Sequence, residues 1–133
     1  MESGETNLNT LLRNISPKIN PGEYVFCVVQ KFDIKLIEQA LFHFRESEGI
    51  TIIIEKERAD ELGIKYETIF AWITLEVHSS LDAVGLTASF SQILAVNKIS
   101  CNVVAGYYHD HLFVRLEEAE HATSLLDSLS SLS

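Results

Sequence analysis

The chain has 133 residues, an apolar fraction of 47% and a net charge of −9, with a pI near 4.9. That length fits one compact domain or two small, closely packed subdomains. The charge argues against general nucleic-acid binding, which needs clustered Lys and Arg, and against docking to anionic membranes.

No apolar run approaches the roughly 20 residues that a membrane helix needs. The start, MESGETNLNT, is polar and acidic, unlike a secretory signal. The cysteines, Cys27 and Cys101, each sit in an apolar strand-like run, the common setting of a buried reduced thiol. A reducing cytoplasm is the expected compartment, although the sequence leaves a disulfide between them open.

Residues 1–6 read as a loose tail. Asn7 is placed to cap a short helix with Leu8, Leu11, Leu12 and Ile15 on its apolar face, ended by Ser16-Pro17. Asn20-Pro21-Gly22 is a turn, and Tyr24 to Gln30 is a strand apolar on both faces. Phe32, Leu36, Ile37 and Ala40 have helical spacing. Leu41–Arg45 and Ile50–Glu55 read as a hairpin around Glu46-Ser47-Glu48-Gly49. Lys56–Leu62 is a short helix stopped by Gly63 at the C′ position.

In the second half, Ile69–Val77 is a strand, and Ser80–Asn97 is a helix with Ala83, Leu86, Phe90, Ile93 and Leu94 on one face. Ser100–Tyr107 and His111–Arg115 are strands joined by Tyr108-His109-Asp110. Leu116–Leu129 is a final helix. This β-α-β-β-α succession lacks the fourth strand of a split βαβ unit. The first half has strands to spare, so the halves are expected to complete each other's sheets.

The stretch from Val77 to Thr87 bears most directly on function. A strand there runs into Ser79, Ser80 and a helix start, which presents unpaired N–H groups and a partial positive charge. Such a place holds a carboxylate or phosphate. The simpler reading is a capping box of Ser79 with Asp82, with Gly85 allowing close packing.

His109, Asp110 and His111 combine groups that suit zinc or nickel. A third ligand nearby is missing, however, and a tight turn splays the side chains, so a polar hairpin tip is expected. His78 beside Ser79 does not form a nucleophile and base, since neighbours on a strand point to opposite faces. Trp72, Phe70, Phe42 and Phe44 read as core or interface aromatics. The acidic groups of 55–61 and 117–120 read as solvated helix faces.

Phe70-Ala71-Trp72-Ile73-Thr74-Leu75, Val77-His78-Ser79-Ser80-Leu81, Ala83-Val84-Gly85-Leu86-Thr87-Ala88 and Asn102 to His111 together resemble a family of small bacterial ACT-domain proteins. Phe44-Arg45-Glu46, Glu48-Gly49, Thr51 and Gly22-Glu23-Tyr24-Val25-Phe26 extend the likeness, which covers roughly residues 8–129 in order. The resemblance implies an α+β fold of tandem ferredoxin-like (βαββαβ) ACT units with antiparallel sheets, divided as residues 1–66 and 67–133.

ACT domains are regulatory modules that often bind amino acids between two units. The resemblance therefore implies a non-catalytic regulator that binds an amino acid or similar metabolite through Ser79, Ser80, Leu81, Asp82, Val84, Gly85, Leu86 and Asn102. The amides of 82–85 would hold the α-carboxylate, and a serine would add a hydroxyl. No cofactor and no metal are expected, and the partners are a small molecule and further copies in a homo-oligomer. The alternative is a ligand-free scaffold that associates through sheet edges. An enzyme is the weakest reading: the chain has no metal-ligand spacing, phosphate-loop glycine pattern or nucleophile elbow.

Overall fold

The computed structural model describes residues 7–76 and 84–131. The chain divides into a central unit, Gly22–Phe70, and a composite unit made of residues 1–21 and 71–133.

In the central unit β2 (Tyr24–Val29) leads through α2 (Ile34–Gln39) to β3 (Phe42–Glu46), β4 (Gly49–Glu55) and α3 (Lys56–Leu62). The strands lie in the order β3, β4, β2. Antiparallel registers place Tyr24 opposite Glu55 and Phe42 opposite Ile53. Alternation sends Val25 and Cys27 with Ile50, Ile52 and Ile54 to one face. There they form a core with Ile37 of α2 and Ala59 of α3.

Each helix has a local reason to start or stop. Asp33 caps α2 by accepting from the amides of Lys35 and Leu36. Gly63, at φ +66°, ends α3, with its own amide on the Asp60 carbonyl and the Ile64 amide on that of Ala59. Phe70, the last residue of this unit, pairs with Tyr24.

The composite unit begins with an N-terminal arm: α1 (Leu8–Arg13), capped by the Asn7 side chain, and β1 (Pro17–Ile19). It continues with β5 (Phe70–Leu75), α4 (Leu86–Val96), β6 (Asn102–Ala105), β7 (Asp110–Arg115) and α5 (Ala119–Ser128). The strand order is β1, β5, β7, β6. Pro17 to Ile19 pair antiparallel with Leu75 to Ile73, so β1 occupies the fourth-strand position beside the unit's first strand. This strand is absent from the sequence reading. Three residues are too few to carry an alternation, and Pro17 is tolerated because it opens the strand.

One face of this sheet, with Ala71, Ile73, Leu75, Leu112 and Val114, packs on Leu86, Phe90 and Leu94 of α4 and on Ala122 and Leu126 of α5. Leu11 and Ile15 of the arm are buried in the same core. The two units thus repeat one succession, strand-helix-strand-strand-helix, with the first strand beside the third and the third beside the second. The fold is the α+β, tandem ferredoxin-like class that the sequence implies.

Several expected bounds move. Val84 and Gly85 lie outside any helix, so the helix expected over Ser80–Asn97 begins at Leu86. Gly85 has φ +95°, which the α-helix cannot contain. The strand expected over Ser100–Tyr107 is confined to Asn102–Ala105, because the Gly106 amide donates to the His109 carbonyl and closes the turn two residues early. The last helix opens with a 3₁₀ turn at Leu116–Glu118.

Candidate functional site

The start of α4 is built around Gly85. Its carbonyl accepts both the amide and the hydroxyl of Ser89, each at 2.9 Å. The amides of Leu86, Thr87 and Ala88 precede that first helical bond, so the helix does not satisfy them. Gly85 brings no side chain to cap them. A Cβ at Gly85 would lie 3.0 Å from Cδ2 of Leu8, so α1 of the arm packs directly against this turn.

Of the expected site residues, Ser79, Ser80, Leu81 and Asp82 lie outside the described residues, as does the capping box of Ser79 with Asp82. Val84 is 82% exposed, whereas the neighbouring Leu86 is buried in the core. Leu86 is thus placed to anchor the helix start. Asn102 opens β6 and donates through Nδ2 to the Phe113 carbonyl across the strand pair, at 3.4 Å. That bond is the ordinary side-chain-to-backbone role.

A cluster that sequence reasoning missed lies on the sheet face of the composite unit turned away from its helices. Trp72, Thr74 and His111 are brought together there by the neighbouring strands β5 and β7, with Asn20 joining from the end of the arm. The sequence has no short-range signal for this, because Trp72 and His111 meet only through strand pairing. Next to His111, Asp110 is buried and its carboxyl is pushed up by desolvation, against a smaller opposing effect of His109. Among the described residues, no three metal-ligating side chains converge.

The central unit has an open pocket of about 320 Å³ lined by Gly22, Glu23, Glu55, Lys56, Glu57 and Asp60. The single ammonium is spent internally: Lys56 Nζ lies 2.7 Å from Asp60, which also accepts from the Tyr66 hydroxyl at 2.7 Å. These bonds hold the Asp60 carboxyl below its ordinary value. The remaining carboxylates make the pocket a poor receptor for an anion. Both cysteines are free thiols; burial raises Cys27 and takes Cys101 to about 11.

ACT-domain family models match residues 3–71 and 67–128. A Vibrio cholerae protein of unknown function is 44% identical, with a TM-score of 0.85 over 92% of this chain and 95% of that one. A protein from Agrobacterium tumefaciens is 21% identical, with a TM-score of 0.68 over 88% and 90% of the two chains. The ligand-free regulatory subunit of aspartate kinase from Thermus thermophilus shares the fold at 9% identity, with a TM-score of 0.60 over 87% and 98%. No curated protein matches. On two tandem family matches and a relative of nearly the same extent, the chain belongs to the ACT-domain family.

Proposed function

We propose that this ACT-domain protein is a non-catalytic regulator that binds an amino acid or similar small metabolite at the loop 78–86. The supporting observation is the start of α4: three successive amides, from Leu86 to Ala88, precede the first helical bond, behind a glycine that cannot cap them. Such a turn suits an α-carboxylate, because the donors are preorganised and the helix dipole favours negative charge. In this reading Ser79 or Ser80 adds a hydroxyl. Leu81 and Val84 supply apolar contact, Leu86 fixes the turn from the core, and a carboxylate or a strand carbonyl takes the α-ammonium. Asn102 is the least committed member, since its amide already serves β7.

Thermal unfolding in the presence of each of the twenty amino acids tests the proposal. A ligand at about a hundred times its dissociation constant stabilises by about 2.7 kcal/mol, which raises Tm by roughly 10 °C for a chain of this size. No shift with any amino acid at millimolar concentration refutes the amino-acid reading.

The scaffold reading has one observation in its favour. The edge strand β3 and its neighbourhood expose Phe44 at 59% and Val28 at 58%. If sheet association is the function, Gly85→Val should leave the oligomer seen by light scattering intact.

A further inference from the structure

The polar cluster of the composite unit forms one connected set of hydrogen bonds. Asn20 Nδ2 donates to Thr74 Oγ1 at 2.8 Å. Thr74 Oγ1 lies 3.1 Å from His111 Nδ1, and Trp72 Nε1 lies 3.0 Å from the same nitrogen. An indole N–H can only donate. His111 Nδ1 is therefore an acceptor, and the imidazole is neutral with its proton on Nε2.

We propose that Trp72 and His111 form a proton-operated clasp between β5 and β7, closed when His111 is neutral and opened when Nδ1 takes a proton. The clasp stands independently of the amino-acid reading. Protonation at Nδ1 creates a second donor where Trp72 Nε1–H already points, so that hydrogen bond is lost. The new Nδ1–H turns to Thr74 Oγ1, whose two lone pairs can accept from it and from Asn20 together. Toward His111 alone the Thr74 hydroxyl changes role. In the closed state it shares the one Nδ1 lone pair with the indole as a second donor, and after protonation it accepts, its own hydrogen swinging away. The arm stays tied through Asn20 while the indole is released.

The surroundings favour the closed state. Trp72 and Thr74 of β5, Val104 opposite on β6, and Asn20 of the arm carry no titratable charge. Lys18 of β1, the exposed partner of Thr74 on the same sheet face, brings a positive charge that does not favour a second one on His111. His109, from the preceding turn, opposes a second positive charge, and burial opposes it more strongly. Asp110 is the adjacent residue of β7 and so points to the opposite face. A Cβ at Gly106 would lie 3.3 Å from His111 Nε2, so the ring rests against bare backbone.

The direction of the pH effect follows. The His111 pKa in the fold lies below its ordinary 6.5. As pH falls through about 6.5 the unfolded chain takes the proton first, so stability falls from there down to the folded-state pKa and then levels off.

Trp72 is the chain's single tryptophan, so its fluorescence reads the clasp directly. The expected result is a change in emission with one midpoint below 6.5 while far-UV circular dichroism stays constant. His111→Asn, whose Oδ1 replaces the acceptor without titrating, should abolish the change. His109→Gln should move the midpoint upward. Emission that stays flat from about pH 7.5 to about pH 4.5, or a transition that survives His111→Asn, overturns the proposal. If that variant does not fold, the imidazole ¹⁵N shifts of the wild-type chain decide: a bare Nδ1 at neutral pH supports the clasp, and a protonated Nδ1 refutes it.

Discussion

Gly85→Ala places a methyl group where the backbone has φ +95° and ψ −14°, and where the nearest neighbour is Cδ2 of Leu8 at 3.0 Å. Holding a residue with a side chain in positive φ costs about 1–2 kcal/mol. The Leu8 contact adds a few tenths, because the end of a leucine can rotate away. Against this, alanine loses less unfolded-chain entropy, worth about 0.5 kcal/mol. The net expectation is a loss of about 1–2 kcal/mol, or roughly 5 °C in Tm. Urea unfolding followed by circular dichroism measures it as a lower midpoint with an unchanged slope. Adding Leu8→Ala should recover only the steric part, as a coupling of about 0.5 kcal/mol. A Gly85→Ala protein as stable as the wild type would refute both the positive φ and the helix start at Leu86.

Two other outcomes follow from single residues. Lys98 ends α4 at φ +61°, with its amide on the Ala95 carbonyl and the Ile99 amide on that of Leu94. Lys98→Gly should therefore raise stability by about 0.5–1 kcal/mol in the same urea assay, since glycine meets no Cβ penalty there. Cys101, with its thiol pushed up to about 11, should alkylate slowly at pH 8. Its rate should rise about tenfold per pH unit up to that value, measured as the difference between the wild type and Cys101→Ser; a plateau near pH 9 would contradict the burial.

Local signals carried much of the fold. Asn7 and Gly63 mark helix ends where the sequence places them, because a cap and a left-handed stop are chemistries of a few neighbouring residues. The helical period of Leu86, Phe90 and Leu94 is likewise readable, since each faces the same core. What sequence reasoning misplaced depends on distant partners. The helical spacing of apolar residues includes Ala83 as well as Leu86, so nothing local fixes the start at Leu86. The conformation of Gly85 is set against Leu8, from the far end of the chain. The short β1 has no pattern of its own and exists only because Ile73 to Leu75 offer it an edge. The polar cluster is illegible for the same reason: in sequence Trp72 reads as a core or interface aromatic and His111 as part of a hairpin tip, and only strand pairing joins them.

The position of β1 has a consequence for the order of events during synthesis. Leu11 and Ile15 leave the ribosome early, but the strand that β1 pairs with and the helices that cover the arm are made much later. At about 5–20 residues per second, the arm waits on the order of several seconds with its apolar face open. Meanwhile the residues from Gly22 to Phe70 emerge with nearly all of their pairings in hand and can begin to close. The composite unit must instead bring together the two ends of the chain, a long-range closure that slows folding. Its nascent arm is the segment most exposed to chaperones, to proteases and to mispairing with another chain's unfinished sheet.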